Sequence, residues 1–162
     1  LGPPLRPSHD PRCQTGVTPM TQLTLDHART IIRATLEKGR QEGFKPLSVV
    51  VLDAGGHVIA FEREDGASPG RFGIAEGKAY GAVMLGIPGT AQMARAEQQA
   101  YFIAAVNGVY GGRLVPVPGG ILLRASAEGP VIGAVGVTGD TSDNDVIAGM
   151  AGVEAAGLVG QA

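Results

Sequence analysis

Arg63, Asp65 and Lys78 stand in one run, EREDGASPGRFGIAEGKAYGAV, of a chain in which only 17% of residues are charged. Each brings a distinct chemistry. A lysine desolvated among small residues has its ammonium pKa lowered, and then serves as a base, a Schiff-base amine or a carboxylate anchor. An arginine holds a carboxylate through two parallel N–H donors. The candidate catalytic set is therefore Lys78 as base or anchor, Asp65 as its partner and Arg63 as the clamp. Their ligand would be a small anionic organic molecule. The plain alternatives are a Lys78 with a buried stem and a wet head, and an Arg63–Asp65 surface pair worth about 0–1 kcal/mol.

Four residues further on are candidates for ligand binding. Gly119 and Gly120 in VPGG either turn backbone N–H groups to a ligand or let the chain approach another element closely. Thr138 in GVTGD offers a hydroxyl to a ligand or caps a strand end. Asp145 lies in the first turn of the last helix, where free N–H groups attract anions. Its spacing from Ser142 is also that of a capping box.

Metal and cofactor chemistry is sparse. A single cysteine, Cys13, excludes a disulfide framework and a Cys-based zinc site. No His, Asp and Glu group has metal-ligand spacing, so no metal is expected. Dinucleotide, phosphate-loop, EF-hand and nucleophile-elbow patterns are missing, and no redox cofactor is expected. Haem would need an axial His, Met, Cys or Tyr. The histidines are His9, His27 and His57. His57 is the candidate haem ligand, with Tyr80, Tyr101, Tyr110 and the methionines as further donors.

The elements that must position these residues follow from pattern. TLDHARTIIRATLEKGRQEG has Leu25, Ala28, Ile31, Ile32 and Leu36 at helical spacing, with Thr24 as N-cap and Gly43 as stop. LSVVVLD (47–53) and HVIAFER (57–63) flank the turn AGG and predict a β-hairpin. Residues 71–88 and 90–102 predict two helices, parted at Pro88–Gly89, and 107–120 a glycine-rich loop. Strands are expected at 120–126 and 131–139, and a closing helix at 142–159. Hairpins among helices favour an α+β domain with an antiparallel sheet.

Composition agrees. Of 162 residues, 26 are glycine, Trp is absent and aromatics are 4%, so stability must come from close backbone approach. Such surfaces suit contacts between subunits. The net charge of −2 gives no basic stripe for nucleic acid. No apolar run reaches the roughly 18 residues of a membrane span, and a cytoplasmic location is expected. Residues 1–19 carry five prolines and no apolar periodicity. They read as a disordered leader or upstream extension, with no role for His9 or Cys13, and 20–162 as one domain.

Three separated motifs carry a family resemblance. DAGGHVIAFEREDGA resembles the D-x-x-G-x-hydrophobic…R-x-D-G-A segment of the GlcG/HbpS family, which includes the PduO C-terminal domain. AEGKAYGAV resembles its A-x-x-K-A helix. PGG…PVIGAVGVTGDTSDNDVIAGMA resembles its ending. The resemblance runs from about Leu23 to Gly157. Leu122 stands where the family usually has proline, and Thr138 where it often has serine. The resemblance implies a bacterial protein with a profilin-like α/β/α fold, a five-stranded antiparallel sheet between helices, and homo-oligomers. Together with the residues above it gives three functional readings. The first is an enzyme without redox cofactor, doing acid–base chemistry on a small organic acid or carbonyl compound. The second is a haem-binding or haem-handling protein. The third is a non-catalytic accessory or assembly subunit.

Overall fold

The computed structural model describes residues 22–162; the segment 1–19, with its expected arm, lies outside them. Helix α1 (Leu25–Gln41) starts at Thr24, whose hydroxyl accepts from His27 N while His27 Nδ1 accepts from Thr24 N. Gly43, with φ +71°, follows its end. Strands β1 (Ser48–Asp53) and β2 (Val58–Arg63) form the expected hairpin. Helix α2 (Arg71–Leu85) ends at Gly86 in the left-handed conformation. Strands β3 (Gly120–Arg124) and β4 (Val131–Thr138) form the second hairpin. Helix α5 spans Ser142–Ala155.

Several boundaries differ from expectation, among them the ends of α2 at Leu85 and β3 at Arg124. The helix predicted over 90–102 is two, α3 (Gly89–Gln98) and α4 (Ala100–Val109), broken at Gln99 with φ −139° and ψ 62°. No Gly or Pro marks that break, and α4 runs into the stretch read as loop. The closing helix stops at Ala155. Gly157 then turns the chain into a short strand, β5 (Val159–Gln161), on the edge of β3. Three residues are too few to show strand periodicity. The cap of α5 is Thr141, whose hydroxyl accepts from Asn144 N. Ser142 is the first helical residue, which frees Asp145 for another role.

The sheet order is β2-β1-β4-β3-β5, and every pairing is antiparallel. Helices cover both faces, giving the profilin-like α/β/α arrangement. On one face Val49, Val51, Ile121, Leu123, Val135 and Val137 pack against α1 and α5. On the other, Val50, Leu52, Leu122 and Ala134 meet Ala75, Ala79 and Ala82 of α2. Small side chains let α2 touch the sheet with its backbone. Gly120 and Gly136 are cross-strand partners. A Cβ on Gly120 would fall 2.3 Å from Lys78 O, and one on Gly136 2.0 Å from Ala75 O. The glycine pair makes the trough in which α2 lies.

Candidate functional site

Lys78 is buried, head as well as stem: its side chain is only 3% exposed. The ammonium donates to Val137 O at 2.9 Å and to Asp145 Oδ2 at 3.0 Å. Because α2 and α5 cover opposite faces, the side chain crosses the end of the sheet and ties the two layers. Gly119 makes room for it; a Cβ there would lie 2.9 Å from Lys78 Nζ and 2.6 Å from Val137 O. Burial pushes the Lys78 ammonium below the usual lysine range, Asp145 opposes this, and the charge of Arg71 adds to it. Burial likewise raises the Asp145 carboxyl, against the pull of Lys78. The other Asp145 oxygen accepts from Asp140 N.

Asp65, expected beside Lys78, does not reach it: Asp145 holds that position. Asp65 and Arg63 are both exposed. Arg63 shares a cross-strand row with Ser48 and Thr138 at one end of the sheet. The arginine that does join the buried group is Arg71, which donates to the Thr138 hydroxyl at 2.9 Å. Sequence reasoning passed over Arg71. Its signal was spacing: seven residues before Lys78, two helical turns, it lies on the same face. Of the two readings of Gly119 and Gly120, the geometry displays close approach, Gly119 to Lys78 Nζ and Gly120 to the Lys78 carbonyl.

His57 lies at the opposite end of β1, in the hairpin turn. Its side chain is 80% exposed and its Nδ1 sits 3.2 Å from Asp53 Oδ1. The same oxygen accepts from Gly55 N and His57 N. Slight burial acts to raise the Asp53 pKa, but these hydrogen bonds and the His57 charge outweigh it and lower it overall. Asp53 begins the DAGGH motif, yet its hold on the imidazole was not drawn from the sequence. A groove of about 350 Å³ adjoins the turn, with Leu23 and Ile132 in its wall and His57 and Gln22 at its rim.

Haem can be tested against the two described histidines. His27 Nδ1 accepts from Thr24 N, so the neutral ring carries its proton on Nε2 and has no lone pair there. His57 Nδ1 faces a carboxylate and takes the proton, leaving the Nε2 lone pair outward. That is the arrangement in which a carboxylate orients a metal-ligating imidazole. The chemistry of His57 fits an axial ligand, and that of His27 does not. No cluster of three or more His, Cys, Asp or Glu among the described residues could hold a metal ion by itself.

A five-stranded antiparallel sheet between helices, with a buried Lys–Asp bridge across its end, places the chain among profilin-like α/β/α domains. The family model described as haem degrading protein HbpS-like matches residues 23–154, and the chain belongs to that family. The solved structure of HbpS is 28% identical, with a TM-score of 0.71, covering 86% of this chain and 93% of that one. A double mutant of Streptomyces reticuli HbpS is 26% identical, with a TM-score of 0.69 and coverage of 95% and 97%. A PduOC–haem complex, at 21% identity, shares the fold with a TM-score of 0.76 and coverage of 87% and 99%. No curated protein matches the chain in sequence. No helix of the described residues is long and apolar enough to cross a membrane.

Proposed function

We propose that this protein binds haem, with His57 Nε2 as axial ligand and Asp53 fixing its tautomer. The observation that carries the reading is the Asp53–His57 contact beside an open groove, in a chain of the HbpS-like family. The relatives whose structures are named HbpS and PduOC–haem complex support haem as the group. Haem would supply the iron chemistry; this chain supplies the imidazole, its orienting carboxylate and the apolar groove wall.

Acid–base chemistry on a small organic acid has less behind it. The Lys78 ammonium is spent on Asp145 and Val137 O, and four grooves on the described residues are lined without it. Lys78 reads as a structural tie. We take the protein to act as a homo-oligomer. Helix α4 is nearly all apolar, carries no charge and buries only Ile103. An uncharged face of this kind is self-complementary, as a two-fold contact requires.

The test is an equilibrium haem titration followed at the Soret band. Native protein gives a saturable band at one haem per chain, and His57→Ala removes or shifts it. Equal spectra and affinity for the two proteins would reject His57 as ligand.

A further inference from the structure

The end of the sheet remote from His57 holds a second feature. A groove of about 230 Å³ opens there, lined by Lys45, Gly66, Ser68, Arg71 and Gly139. Arg71 is half-buried, and its polar partner among the described residues is a neutral hydroxyl, Thr138 Oγ1. A guanidinium has five N–H donors; one bond to a hydroxyl leaves most of them unspent. Ser48 is the cross-strand neighbour of Thr138 on the face that packs α2. It is fully buried, and its hydroxyl has no hydrogen-bond partner.

We propose that this groove binds a compact carboxylate, held by the Arg71 guanidinium, which the Thr138 hydroxyl anchors from behind, with Lys45 at its rim. The planar fork of arginine matches a carboxylate. Charge favours a monoanion over doubly ionised phosphate. Asp140 borders Lys45, and hydrogen bonds from Lys45 N, Thr141 N and Asn144 Nδ2 keep it ionised. One negative charge is therefore already at the rim. The site is independent of the haem reading, because the span of the six-residue β1, about 17 Å, separates it from the hairpin turn.

The experiment is a titration of the full chain, free of haem, with acetate and separately with phosphate, followed by backbone amide NMR shifts. Acetate should move the amides of Ser68, Arg71 and Gly139 saturably. Arg71→Ala should weaken this roughly tenfold or more, the loss of one charge-assisted bidentate contact. Arg113→Ala, away from the groove, should not. If Arg71→Ala fails to fold, Arg71→Lys serves: it keeps the charge, loses the fork and should bind several-fold more weakly. Native affinity in the Arg71 variants, unmoved groove amides, or shifts with phosphate but not acetate would each overturn the proposal.

Discussion

Lys78 and Asp145, 67 residues apart in sequence, meet at 3.0 Å inside the protein with side chains 3% and 1% exposed. A buried pair of this kind contributes little relative to apolar residues of the same volume, because both charges are desolvated. Losing one partner is different, since it strands the other charge. Lys78→Met and Asp145→Asn should each lower unfolding stability by about 3–5 kcal/mol. The double change Lys78→Met with Asp145→Asn should cost clearly less than the sum of the two single changes. Denaturant unfolding of the set checks this, and additive losses would contradict a coupled pair.

Acid should act partly through Asp140. Hydrogen bonds from Lys45 N, then Thr141 N and Asn144, lower its pKa from 3.8 to about 2. The unfolded chain therefore binds the proton first as pH falls. The contribution of Asp140 is fully present above 3.8 and disappears as pH drops through about 2. Asp145 has the opposite sign: its raised pKa makes its contribution decline as pH climbs from 3.8 through the folded value. Asp140→Asn should flatten the acid limb of a stability–pH curve, and an unchanged limb would remove Asp140 from the account.

Much of this was legible in the sequence. Thr24 and Gly43 bounded α1, and the AGG turn placed the first hairpin, because caps and turns are local signals. The pairing of Lys78 was not legible. Asp65 is nearer in sequence, and nothing local tells that Asp145 faces inward; the outcome depends on Thr141 taking the cap and on α5 docking opposite α2. The break at Gln99 and the strand β5 were hidden for a related reason, since tertiary packing sets them and no breaker or period marks them.

Glycine positions on the path of Lys78 should be intolerant. Gly119→Ala puts a Cβ against Val137 O and Lys78 Nζ at φ +110°, and should cost more than about 1 kcal/mol. Gly73 lies within α2, and a Cβ there meets nothing within 4 Å. Gly73→Ala should stabilise by up to about 1 kcal/mol. Thermal unfolding of the two variants gives the comparison.

Assembly should run through α4. Tyr101 and Val109 are 73% and 77% exposed on this uncharged helix. Val109→Asp together with Tyr101→Glu should shift the mass in light scattering towards the single chain, while far-ultraviolet circular dichroism stays native. An unchanged mass would move the interface elsewhere.

The central claim is that His57, set by Asp53, is the haem ligand. Its most direct test compares haem affinity in native protein, His57→Ala, His27→Ala and Asp53→Asn by Soret titration. The account predicts native binding for His27→Ala and loss of the native band in His57→Ala. Asp53→Asn should be weaker by about 10–100-fold, as when the carboxylate orienting a ligating imidazole is removed. Full binding by His57→Ala, or loss confined to His27→Ala, would contradict it.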